Sequence, residues 1–101
     1  MNQVESFEDV ASKKIALVEF FTSWCGPCKI QKKILQDFEE KNTDIFVASV
    51  DVENAPALAD SLKVSAVPTT ILFENGKEKG RLNGLQQREK FESLIDTAVT
   101  A

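Results

Sequence analysis

A nearly unbroken apolar run, Ile15-Ala16-Leu17-Val18-Glu19-Phe20-Phe21, leads three residues later into Cys25-Gly26-Pro27-Cys28. A run of this length and richness in branched and aromatic residues reads as a central strand covered on both faces. A glycine and a proline then punctuate the chain where a following helix would begin, proline being tolerated in a first helical turn because its missing N–H would be unpaired there anyway. The only two cysteines and the only tryptophan, Trp24, fall at this junction. The chain is therefore organised around one strand-to-helix corner carrying two thiols.

The rest of the pattern alternates. Ser6 is placed to cap a helix at Phe7-Glu8-Asp9-Val10-Ala11, with acids in its first turn and Lys13-Lys14 beyond its end. Lys29 to Lys41 predicts a helix with Ile30, Ile34, Leu35 and Phe38 on one face, and Lys32, Lys33, Glu39 and Glu40 mostly on a solvated one. Ile45 to Val50 predicts a strand, and Asn54 the cap of a short helix containing Pro56. Thr69 to Phe73 predicts a strand joined by Asn75-Gly76, in a type I′ turn, to a partner over Lys77 to Leu82. Apolar spacing at Phe91, Leu94, Ile95, Ala98 and Val99 predicts a last helix over Gln87 to Val99, without a good N-cap. The residues before Val4 offer at most a very short edge strand. The order βαβαβαββα, first strand short, means an α/β fold: a mixed central sheet with helices on both faces. No linker or repeat divides residues 1–101, so a single domain is expected.

Composition narrows the function. A hydrophobic fraction of 43% supports a core without disulfide staples, so the cysteines need not be structural. A net charge of −4 argues against nucleic-acid or anionic-membrane partners. There is no histidine, which removes the commonest general base and metal ligand. Met1-Asn2-Gln3-Val4-Glu5 lacks the basic start and apolar run of a signal peptide, and no run reaches membrane-spanning length. A cytoplasmic chain without membrane association is expected.

Two thiols separated by two residues can bind metal, brace the fold or exchange electrons. Zinc wants four ligands and the cysteines supply two, so no metal is expected. A ring this small removes little entropy from the unfolded chain, so bracing is weak. Redox exchange remains, and the position favours it. Cys25 at a helix N-terminus meets free N–H groups and the positive end of the dipole, which favour a thiolate. Cys28, one turn deeper, is expected to be more buried. Cys25 is thus assigned as nucleophile and Cys28 as resolving thiol. Trp24 beside the thiols reads as a docking residue rather than a packing one. Glu19 interrupts an apolar run, which predicts a buried carboxylate and a functional candidate.

Trp24-Cys25-Gly26-Pro27-Cys28-Lys29 matches the active-site signature of the thioredoxin family, and the chain resembles that family over roughly four fifths of its length. Val67-Pro68-Thr69 resembles the family's cis-proline loop, Asn75-Gly76 its hairpin, and Gly84 the glycine before the last helix. The resemblance implies a thioredoxin fold and a general protein-disulfide reductase that needs no cofactor. It also implies a cis Val67–Pro68 bond, although Pro68 read alone would be trans. Trp24, Gly26, Pro27, Ala66, Val67, Pro68, Gly84 and Leu85 are the implied substrate-binding residues, with the Val67 backbone pairing with an extended segment. Implied partners are disulfide-containing substrate proteins and a thioredoxin reductase that recycles the Cys25–Cys28 disulfide, with the chain acting as a monomer.

Several positions depart from the family. Glu19 stands where thioredoxins usually carry aspartate, in a V-E-F context similar to protein disulfide isomerases, and would accept the Cys28 proton. Ser49 stands at the position of the lysine near that acid, leaving the carboxylate without its usual cation. Phe21 replaces a frequent tryptophan, Lys33 a proline, and Asn83 an apolar rim residue. Proline between the cysteines favours a reductant over an isomerase or oxidase. A binding module with idle thiols is the rival from another class.

Overall fold

Seven buried or half-buried residues, Ile15–Phe21, form β2, the strand on which the computed structural model is built. The structure describes residues 1–99. In chain order the elements are β1 (Asn2–Gln3), α1 (Glu8–Ala11), β2 (Ile15–Phe21), α2 (Gly26–Lys41), β3 (Phe46–Asp51), α3 (Pro56–Ser61), β4 (Thr69–Glu74), β5 (Lys77–Asn83) and α4 (Arg88–Ala98). The sheet order is β1-β3-β2-β4-β5. β3 runs parallel to both β1 and β2, while β4 is antiparallel to β2 and to β5. With β2 in the middle, both of its edges are paired and both of its faces covered, which is why its apolar residues show no alternation.

Alternate residues of the central strands feed two cores. Ala16, Val18 and Phe20 pack with Ala48, Val50, Ile71 and Phe73 beneath α1 and α3. Leu17 packs with Val47 and Leu72 beneath α2 and α4, against Leu35, Phe38 and Phe91. The rings of Phe38 and Phe91 meet edge-on at 6.3 Å, joining the two helices. Glu19 belongs by register to this second face. It lies opposite Ser49 on β3 and Thr70 on β4.

The turns follow their chemistry. Asn75 and Gly76 both have positive φ, as a type I′ hairpin requires. Thr69–Glu74 and Lys77–Asn83 each extend one residue beyond the expected strands. β3 is shifted one residue forward, to Phe46–Asp51, although Ile45 is still buried.

Helix starts and faces differ more. The Ser6 hydroxyl accepts the Glu8 N–H at 3.2 Å, but the residue at the helix boundary is Phe7. Asn54 does not cap α3. Ala55 occupies that position, and its methyl group offers no acceptor for a side-chain cap; Pro56 follows in the first turn, where its missing N–H leaves no unpaired donor. α4 starts at Arg88, again without a side-chain cap. α2 begins at Gly26, a turn earlier than the Lys29 expected from apolar spacing, because Cys25 itself caps it. On that helix Ile30 is 52% exposed, whereas Gln31 is fully buried. The inward stripe is Cys28, Gln31, Leu35 and Phe38, whose spacings of three, four and three are helical. The expected stripe took Ile30 by its type and passed over Gln31 for the same reason.

Candidate active site

The corner after β2 places both cysteines beyond the carboxyl end of a central strand, where open α/β sheets form their sites. Cys25 has extended backbone dihedrals at the N-cap of α2, and its sulfur accepts the Cys28 N–H at 3.2 Å. The sulfur therefore does what a cap oxygen would do, satisfying one of the helix's free donors. The two cysteines are joined as a disulfide, with Cα atoms 5.3 Å apart. Cys25 is 6% exposed and Cys28 3%, so burial separates them little in this oxidised form. Their difference is positional: one sulfur faces the helix N–H groups, and the other residue lies within the first turn.

Glu19 is fully buried beneath this corner. Neither carboxylate oxygen has a hydrogen-bond partner among the described residues, and the neighbouring Thr22 and Thr70 hydroxyls are likewise buried without one. A cavity of about 210 Å³ runs past the carboxylate, lined by Glu19, Phe21, Thr22, Ser23, Cys28, Lys29 and Lys32. Cys28 and Glu19 thus border one space, large enough for solvent. Burial pushes the Glu19 pKa up from 4.5 to about 7, and the positive charge of Lys32 acts in the opposite direction. Lys32 was expected on the solvated face of α2. Its ammonium instead lies 5.0 Å from the centre of the Phe21 ring. It supplies the cation that Ser49 cannot, from the helix rather than from β3. The departure from tryptophan at Phe21 leaves an aromatic face for it to rest on.

The remaining expected residues converge on the same rim. The Val67–Pro68 bond is cis. The Pro68 carbonyl accepts the Gly84 N–H at 2.8 Å, joining that loop to the end of β5. Gly84 has φ +81° and an open Cβ direction, so its need for glycine is conformational. Trp24 is 73% exposed, and Gly26, Pro27, Ala66 and Leu85 are exposed as well. A groove of about 210 Å³ beside the cis-proline loop is lined by Thr22, Trp24, Val52, Val64, Ser65, Ala66 and Val67. Val52 and Val64 were not among the expected rim residues. Both are half-buried loop valines, and no local spacing marks them.

A sulfur at a helix N-terminus, a second sulfur within reach of it and an open apolar rim provide for one chemistry, the exchange of a disulfide with another molecule. The fold and site define a thiol–disulfide oxidoreductase. Comparison with known proteins agrees. The thioredoxin family model matches residues 1–97. A thioredoxin from Chlamydia caviae is 35% identical over 92 residues, covering 91% of this chain and 90% of that one. The chloroplastic thioredoxin Y2 of Arabidopsis thaliana is 42% identical over 97 residues, covering 93% of this chain and 58% of that one. Among solved structures, a mutant thioredoxin from Halobacterium salinarum superposes with a TM-score of 0.89 at 32% identity, covering 99% of this chain and 91% of that one.

The chain belongs to the thioredoxin family. It reduces protein disulfides by dithiol–disulfide exchange through its Cys25–Cys28 pair. The family acts on disulfide substrates and is itself reduced by a reductase. Among the described residues, no helix is long and apolar enough to cross a membrane.

Proposed function

We propose that Cys25 is the attacking thiol, Cys28 the resolving thiol and Glu19 the proton acceptor of a general protein-disulfide reductase. The observation that carries this reading is the bond from the Cys28 N–H to the Cys25 sulfur. A thiolate at Cys25 would keep that donor and the helix dipole as its stabilising partners, whereas Cys28 has no such position.

The reaction then balances in two steps. The Cys25 thiolate attacks one sulfur of a substrate disulfide, forming a mixed disulfide and releasing the other sulfur as a thiolate, which takes a proton from solvent. Cys28 gives its proton to Glu19 directly or through water in the shared cavity. Its thiolate then attacks the Cys25 sulfur, breaking the mixed disulfide and releasing the second substrate thiolate. That thiolate takes up the proton that Cys28 gave to Glu19, returned directly or through solvent. The substrate gains two electrons and two protons, and the Cys25–Cys28 disulfide is left for a reductase to reduce. A carboxyl with a pKa of about 7 is matched to accepting and returning a proton near neutral pH. No metal or organic cofactor enters either step.

The substrate segment would lie along the cis-proline loop, pairing with the Val67 backbone. Trp24, Gly26, Pro27, Ala66, Gly84 and Leu85 would form the surface that excludes water from the exchanging sulfurs, with the buried Pro68 supporting it from beneath. Residues 1–101 would act as one domain, as a monomer, in the cytoplasm.

Dithiothreitol-driven reduction of insulin tests the reading. Catalysis by the wild-type chain, abolished in a Cys25→Ser/Cys28→Ser variant, is the expected result. A biological activity that survives in that variant would instead favour a binding module whose thiols idle.

A further inference from the structure

We propose that Gln31 is a positioning residue that holds the docking rim in register with the dithiol. Gln31 lies on α2 one turn beyond Cys28 and is completely enclosed. Its carboxamide oxygen accepts the Gln86 N–H at 2.7 Å, and its carboxamide nitrogen donates to the Gln86 carbonyl at 3.0 Å. Only this orientation of the amide pairs donor with acceptor at both contacts. One backbone residue is thus gripped through both of its polar groups, as by a neighbouring strand. The loop between β5 and α4 cannot slide or rotate without breaking both bonds.

The connection continues across the rim. The Gln86 side chain donates to the Asn83 carbonyl at 3.0 Å. The Thr69 hydroxyl stands between two acceptors that share its one proton, the Ala66 carbonyl at 2.7 Å and the Asn83 carboxamide oxygen at 3.1 Å. The helix carrying the dithiol, the loop carrying Gly84 and Leu85, and the loop carrying Ala66 and Pro68 are therefore joined by one polar chain. Burying an amide costs solvation, and an apolar side chain in the Leu35 and Phe38 stripe would avoid that cost only by leaving the Gln86 N–H and carbonyl without these partners. What the amide adds is direction. It fixes where the rim stands relative to the sulfurs, which lowers the ordering required when a partner docks. Gln31 takes no part in the electron or proton steps, and this assignment rests on the rim reading given above.

The test compares Gln31→Met and Asn83→Ala with wild type and with Leu85→Ala. Two substrates are used: insulin, and the small aromatic disulfide 5,5′-dithiobis(2-nitrobenzoate), which needs little of the rim. Gln31→Met should raise the KM for insulin about three- to tenfold while kcat stays within about twofold, the pattern of lost ground-state positioning. The preference for insulin over the small disulfide should fall by a similar factor. Asn83→Ala, at an exposed position, should move KM in the same direction by less, and decides the question if Gln31→Met does not fold. Unchanged KM values in both variants, with Leu85→Ala still raising KM, would overturn the role of Gln31 and leave the rim standing. An insulin KM unaffected by Leu85→Ala would overturn the rim reading, and this inference with it. An equal loss of kcat on both substrates would make Gln31 a support of the dithiol and would also overturn the proposal.

Discussion

Glu19 faces Ser49 across the β2–β3 pair, yet the cation acting on its carboxylate is Lys32, which approaches from the active-site helix. The carboxylate lies fully enclosed, and the ammonium borders the same cavity, held near the Phe21 ring. Two opposed effects set the proton affinity of the acid. Burial disfavours the charged form and Lys32 favours it; burial prevails, and the pKa stands at about 7.

That balance predicts a stability that falls as pH rises. Below about pH 4.5 folded and unfolded chains both hold the Glu19 proton, and there is no penalty. Between that value and about 7 the unfolded chain ionises while the folded chain does not, so stability declines. Above the folded pKa the loss levels off at roughly 3–3.5 kcal/mol. Glu19→Gln removes this dependence. Its Tm relative to wild type, in the oxidised protein, should therefore be higher at pH 8 than at pH 4 by on the order of 10 °C. Equal differences at the two pH values would mean that the acid is solvated.

Lys32→Met should move the Glu19 titration above about 7, because the lowering influence is gone and burial remains. Carbon-detected NMR of the side-chain carboxyl measures this directly. With more of the acceptor already protonated, resolution of a mixed disulfide at pH 7 should slow about two- to threefold. The rate should approach wild type at about pH 9, where both proteins have ionised. A titration that stays in place would show that Lys32 does not govern the acid.

Two glycines separate backbone strain from packing. Gly76 has φ +81°, and a Cβ there would lie 3.2 Å from the Ala11 Cβ; Gly84 has the same φ with open space. Gly84→Ala should cost about 1 kcal/mol from conformation alone, and Gly76→Ala about 1–2 kcal/mol or more, since α1 must give way as well. Urea midpoints measure both. A greater loss at Gly84 would contradict the placement of the hairpin against α1.

What the sequence disclosed and what it concealed have different physical sources. The run Ile15–Phe21, the Asn75-Gly76 turn and the Cys25-Gly26-Pro27-Cys28 corner each carry their conformational cause within a few residues, so strand, hairpin and strand-to-helix corner were legible, though apolar spacing set the start of α2 a turn late, at Lys29 rather than Gly26. The burial of Glu19 was legible from its apolar neighbours for the same reason. Gln31 and Lys32 were not, because each is defined by a group distant in the chain. The Gln86 backbone is 55 residues from Gln31, and no local spacing announces a carbonyl waiting there. A strict count of helical positions from Cys28 to Leu35 would have placed Gln31 inward. The reading by residue type chose Ile30, which points outward. The cis Val67–Pro68 bond was legible only through resemblance, since an isolated proline favours trans.

The assignment of roles within the dithiol is the centre of the account, and trapping with single-serine variants tests it most directly. Reduced Cys28→Ser and Cys25→Ser are each mixed with insulin or another disulfide protein, and the products are resolved by mass before and after reduction. Cys28→Ser should accumulate a mixed disulfide through Cys25, because attack occurs and resolution cannot. Cys25→Ser should accumulate little. Abundant adducts through Cys28 in the Cys25→Ser protein, with few in its counterpart, would reverse the two roles and contradict the mechanism.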